Sequence, residues 1–144
     1  MLHINIKIAV AQVPSIKGDI DENIKIHLLA IEKASQIGVS YIVFPELSLT
    51  GYEPELAAKL AFSTDDSRLK PLIDSAMENN IKIGVGAPLK SDGLPKIGLI
   101  IISQLGTVDT AILILYTVGM TVNVVVLFSL ILAVGMLVDG AIVV

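Results

Sequence analysis

The chain has 144 residues, the length of one domain, and its 53% hydrophobic and 17% charged residues give a mean hydropathy of +0.79, a balance that leans towards a membrane protein. A net charge of -4 with dispersed Lys and Arg provides no basic stripe for phosphate backbones, so nucleic acid is not an expected partner. The absence of cysteine excludes disulfides, thiolate metal sites and thiol chemistry on this polypeptide; His3 and His27 are too few and too far apart for a metal cluster, so no metal or cofactor is expected.

Met1 to Val13 alternates polar and apolar residues instead of presenting a continuous apolar region, so no secretory signal is read and the amino-terminal part is expected in the cytoplasm. Within it, Asn5 to Val13 reads as a strand through Ile6, Ile8 and Val10, stopped by Pro14. Asp19 and Asp21 supply the acceptors and negative charge a helix start requires. Ile24, Leu28, Ile31 and Ala34 then recur at helical spacing as far as Gly38, which predicts an amphipathic helix over Asp21 to Ile37. His27 falls on this helix and is expected at its surface or boundary.

Tyr41 to Phe44, followed by Pro45, predicts a buried strand that ends abruptly. A polar loop with Gly51 and Pro54 leads to a short helix over Glu55 to Phe62. A second helix is expected over Ser67 to Glu78, with Leu69, Leu72, Ile73 and Ala76 inward and Asn79 and Asn80 closing it. Ile81 to Ala87 and Ile97 to Ser103 read as strands, the latter apolar enough to be covered on both faces. The order strand, helix, strand, helix, strand, strand describes an α/β layer with parallel or mixed pairing.

The segment FPELSLTGY, Phe44 to Tyr52, is the sharpest local signal. A carboxylate straight after a buried strand and a proline sits at the strand's carboxyl end, where open α/β sheets place their sites. Partial desolvation there would raise the pKa of Glu46 and suit it to general-base work; the competing reading is a solvated loop residue.

The strings KIAVAQVPSIKGDIDENI, GVSYIVFPELSLTGY and IKIGVGAP, in this order and ending near GTVDT, resemble the nitrilase or carbon-nitrogen hydrolase superfamily over about three quarters of the chain. The resemblance implies a four-layer α-β-β-α sandwich, a catalytic set of Glu, Lys and Cys, and a small amide or nitrile substrate. It assigns Glu46 as the base that deprotonates the thiol and makes Asn23 the recurrent asparagine at a helix start, a structural position. It places Tyr52 near the substrate pocket, where a packing role is equally open. The family's lysine should follow GTVDT, where AILILY stands instead, and its cysteine has no counterpart in this chain.

After Asp109 only Asp139 is charged, and Ala111 to Val138 is uncharged throughout, longer than the roughly 20 residues that cross a bilayer. The alternative is a pair of interior strands over Ile112 to Leu115 and Val122 to Leu127, which are rich in β-branched residues. The string TVNVVVLFSLILAVGMLVDGAIVV resembles the fourth transmembrane helix of resistance-nodulation-division efflux transporters. By that resemblance Asp139 occupies a proton-relay position; the competing reading is a carboxylate that is protonated or reaches the interface near the segment's end. The expected organisation is therefore a partial hydrolase domain over 1–110 joined to an apolar, transmembrane helical tail over 111–144, as in a fusion or truncated product. Such a chain is expected to be catalytically incomplete, the alternative being a membrane component or a fragment of a proton-coupled transporter. Oligomeric state is not encoded in any feature of the sequence.

Overall fold

The computed structural model describes residues 4–112. In chain order they form β1 (Ile8–Val10), α1 (Ile20–Gln36), β2 (Tyr41–Val43), α2 (Ala57–Leu60), a 3-10 turn (Ser67–Leu69), α3 (Lys70–Glu78), β3 (Lys82–Leu89), β4 (Lys96–Ile102) and β5 (Val108–Ile112). The five strands lie side by side in sequence order, with β1, β2 and β3 parallel and β3, β4 and β5 antiparallel. Of the parallel or mixed pairing expected of the α/β layer, the sheet adopts the mixed form.

Local chemistry sets the element ends. Asp19 caps α1 by accepting the Glu22 N–H at 3.1 Å, and Asp21 and Glu22 place negative charge in its first turn. Gly38, at φ +77, releases the chain from the helix towards β2. Asp66 accepts the Arg68 N–H at the start of the 3-10 turn, and Pro71 fits the first turn of α3, where its missing N–H has no helical partner to lose.

Alternation along the strands gives the sheet two apolar faces. Ile42, Phe44, Ile83, Val85, Ile100 and Ile102 point to the face packed by Ile24 and Ile31 of α1 and by Leu72 and Ala76 of α3. Tyr41, Val43, Leu99 and Ile101 form a smaller buried cluster on the opposite face. The described residues supply one helical layer and one sheet, two layers of the sandwich that the sequence leads one to expect.

Three elements differ from expectation. The strand expected over Asn5 to Val13 contracts to Ile8–Val10 because its partner β2 is only three residues long. The helix expected over Glu55 to Phe62 stops at Leu60, and Phe62 instead bridges to β3, with its N–H on Pro88 O at 2.8 Å and its carbonyl receiving Lys90 N–H at 2.9 Å. β5 was not expected; it pairs with β4 from Val108 to Ile112, so Ala111 and Ile112 are sheet residues and the strand runs across the anticipated boundary at Thr110. The remainder of the apolar segment, including Asp139, lies outside the described residues, and among those described no helix is long and apolar enough to cross a membrane.

The helical layer predicts a sharp contrast on α1. Ile31 is fully buried in the core while Leu29 is 60% exposed. Ile31→Ala should lower the unfolding free energy by about 2 to 5 kcal/mol in urea denaturation, whereas Leu29→Ala should change it by no more than about 0.5 kcal/mol.

Candidate active site

The carboxyl end of β2 departs from the ladder in a specific way. Phe44 N–H bonds to Gly84 O at 2.8 Å, and the next carbonyl of β3 on that side, Gly86 O, receives Leu49 N–H at 3.0 Å. A regular parallel ladder would bring in Glu46 there, so the chain makes an excursion over Pro45 to Ser48 before rejoining β3. Pro45 cannot donate to a ladder, and Leu47 turns the chain at φ +52, a left-handed conformation that is uncommon for a residue with a side chain. Ser48 N–H closes the turn on Pro45 O at 3.1 Å.

Gly86 lies directly beneath this excursion. A Cβ built on Gly86 would fall 2.5 Å from Leu47 N and collide with Pro45 O. Only a residue without a side chain permits the turn to lie so close to β3. The turn is also held from behind. Asn23, fully buried on α1, donates from Nδ2 to Leu49 O at 2.9 Å and Ile16 O at 2.8 Å, and accepts Ile16 N–H on Oδ1 at 2.7 Å. Ser15 Oγ donates to Ser48 O at 3.1 Å.

Glu46 is on the crest of the turn and is solvent-exposed as a residue, yet the protein mass beside it desolvates the carboxyl enough to raise its pKa above the usual carboxylate value. Leu47 turns inward and lines a cavity of about 260 Å³ with Thr50, Tyr52, Glu53, Pro88 and Ile97; Glu46 is not part of its wall. Tyr52 therefore reaches a cavity next to the turn, although it is 75% exposed. Glu53 Oε1 is buried and accepts no hydrogen bond among the described residues, while Lys17 Nζ lies 3.4 Å away, near enough for charge pairing but not aligned for a bond. Asp139 lies outside the described residues; of the other residues singled out in the sequence, Asn23 anchors the segment after the turn, Glu46 stands on its crest, and Tyr52 lines the neighbouring cavity without Glu46.

One expectation is overturned. His27, read as a surface or boundary residue, is fully buried, with its ring 4.2 Å from that of Phe44. Its Nδ1 is 2.6 Å from Asn23 O and its Nε2 is 2.8 Å from Ser48 Oγ. Because a carbonyl oxygen only accepts, Nδ1 carries the proton and Nε2 receives the Ser48 hydroxyl. Ser48 Oγ in turn accepts Gly86 N–H at 3.2 Å. The signal was present in the sequence: His27 follows Ile24 by three positions and precedes Ile31 by four, on the apolar stripe of α1.

The fold agrees with the comparison to known families, in which the model of the carbon-nitrogen hydrolases matches residues 7–113. The chain belongs to the carbon-nitrogen hydrolase family. No curated protein matches it. Among solved structures this carbon-nitrogen hydrolase chain is similar to an amidase from Nesterenkonia sp. AN1, with a TM-score of 0.63 and 21% identity over 75% of this chain and 44% of the amidase. A mutant of that amidase carrying acrylamide, added to the active-site cysteine in a Michael addition, gives a TM-score of 0.64 at 20% identity, over 75% of this chain and 44% of that one. A glutamine-dependent NAD(+) synthetase from Cytophaga hutchinsonii gives 0.58 at 26% identity, over 72% of this chain and 18% of the synthetase. The chain thus spans less than half the length of the amidase and less than a fifth of the synthetase.

Two outcomes follow from the packing of this turn. Gly86→Ala should destabilise the chain by about 1 to 3 kcal/mol or more, because backbone rather than a flexible side chain meets the new methyl group. Gly93→Ala, with nothing within 4 Å, should stay within about 0.5 kcal/mol, both read from denaturant midpoints.

Burial lowers the His27 pKa from 6.5 to about 4, outweighing the bond to Asn23 that favours its charged form. The folded state then binds fewer protons than the unfolded chain, so the contribution of His27 to stability is complete above about pH 6.5 and is lost as pH falls towards 4. That loss should amount to something on the order of 3 kcal/mol. Comparing urea denaturation at neutral and acid pH, the wild type should show this component and His27→Gln, which does not titrate, should lack it.

Proposed function

We propose that residues 4–112 carry the general-base part of an amide-hydrolysing carbon-nitrogen hydrolase site, with Glu46 as the base. The observation that supports this most is the excursion of Pro45 to Ser48 across Gly86, which holds one carboxylate at the carboxyl end of β2 in a chain of this family. A carboxylate whose pKa is raised by partial desolvation is a stronger proton acceptor than an ordinary surface glutamate.

In this reading Glu46 takes the proton from a thiol as its sulfur attacks the amide carbon. The acyl group passes to sulfur, the amine leaves with a proton, and water then releases the acid. The oxyanion formed during attack requires a cation or hydrogen-bond donors aimed at it. The 144-residue chain contains no cysteine, and AILILY stands where the family resemblance would put the lysine, so this chain by itself should not turn over amides. The acrylamide bound to the Nesterenkonia amidase supports a small aliphatic amide as the substrate class, with the cavity beside Leu47 and Tyr52 as its approach.

The purified chain should release no ammonia from a small aliphatic amide above the buffer rate; release that disappears in Glu46→Gln would show the inactivity to be wrong. The base assignment is checked separately in a folded chimera that joins residues 4–112 to the remainder of a family amidase. There Glu46→Gln should lower kcat by about 10²-fold or more, and an unchanged kcat would remove Glu46 as the base.

A further inference from the structure

Among the described residues the Glu46 side chain takes no hydrogen bond, so the placement of its carboxyl is inherited from the backbone of the turn. The excursion that creates this placement also deprives Gly86 N–H of the carbonyl it would meet in a continuous ladder. Ser48 Oγ fills that gap at 3.2 Å. A serine hydroxyl can rotate away from any one partner, and here its proton is committed to His27 Nε2 at 2.8 Å, which leaves an oxygen lone pair facing Gly86 N–H. The imidazole is held in that role by its own Nδ1–H bond to Asn23 O at 2.6 Å and by packing on Phe44. Ser48 is two positions after Glu46, and both His27 and Ser48 are fully buried.

From this connectivity we infer that His27 is a positioning residue for Glu46, acting through Ser48 and the Gly86 N–H. The inference rests on the reading of Glu46 as the base, but its geometry does not. A buried residue required only for volume could be any apolar side chain of similar size, and that would avoid the cost of burying an imidazole. What an apolar residue lacks is an acceptor for the Ser48 proton. With the acceptor gone, the hydroxyl loses its fixed orientation, Gly86 N–H loses its partner, and the segment bearing Glu46 is no longer pinned to β3 at that point. Neutral His27 supplies the acceptor, and burial keeps it neutral.

The test uses the full 144-residue chain and reads the Glu46 carboxyl by carbon-13 NMR titration, together with hydrogen exchange at the Gly86 amide. In His27→Phe and in Ser48→Ala the raised Glu46 pKa should fall back towards the ordinary carboxylate range, and Gly86 should exchange about tenfold faster or more. The double variant should be no worse than either single one, since both break the same chain of bonds. Ser48→Thr, which keeps the hydroxyl, should retain the wild-type titration. Ile31→Val, on the same helix but outside the network, should lower stability without moving Glu46.

An unshifted Glu46 in folded Ser48→Ala would overturn the inference, as would an equal shift in Ile31→Val, which would make the effect one of general core packing. If His27→Phe does not fold, Ser48→Ala decides alone. Failure of Glu46 as the base would appear in the chimera's kcat and leave the titration result intact, so the two claims fail separately.

Discussion

The backbone of Pro45 to Leu47 rests directly on Gly86 with no room for a methyl group between them. This contact determines how the neighbouring parts of the structure are arranged. It goes with the departure of the chain from the ladder after Phe44, the left-handed conformation of Leu47, and a Gly86 N–H met by a side chain instead of a carbonyl. Backbone strain of this kind typically costs about 1 to 3 kcal/mol per residue and persists only where neighbouring contacts over-determine it. Here those contacts are the Asn23 amide on two segments, Ser15 on the Ser48 carbonyl and His27 on the Ser48 hydroxyl.

The helix α1 therefore has two tasks along one stripe. Ile24, Ile31 and Ala34 bury apolar area against the sheet, while Asn23 and His27 direct polar atoms at the turn after β2. Polar groups without access to water require partners, and each of these two has them: Asn23 uses both ends of its amide, His27 both ring nitrogens. Tyr41, on the opposite face of the sheet, is a contrast. Its hydroxyl has no partner among the described residues, and burial pushes its pKa up to about 12.

What was legible in the sequence was whatever is local. The stripe on α1, its Asp19 cap, the abrupt end of β2 at Pro45 and the carboxylate that follows all rest on residues within a few positions of each other, and each was found near its expected place. The family resemblance added a reading of Asn23 and of the FPE string, and the match over residues 7–113 bears out the family itself. What escaped reading depends on distance in the chain. The role of His27 requires Ser48, twenty-one positions away, and that of Gly86 requires a turn thirty-eight positions upstream of it. β5 was missed for another reason: Ala111 and Ile112 open an apolar run, and a run of that composition does not distinguish a sheet strand from the start of a membrane segment.

Among the described residues the Glu46 turn is anchored through its backbone and the Ser48 side chain, and no anchor passes through the Glu46 carboxylate. Exchanging an exposed side chain that holds nothing in place usually alters stability by only a few tenths of a kcal/mol. On the proposed reading of Glu46 as the base, folding and reactivity fall to different atoms of the same four-residue segment. Position 46 is thus open to substitution without loss of the turn that carries it.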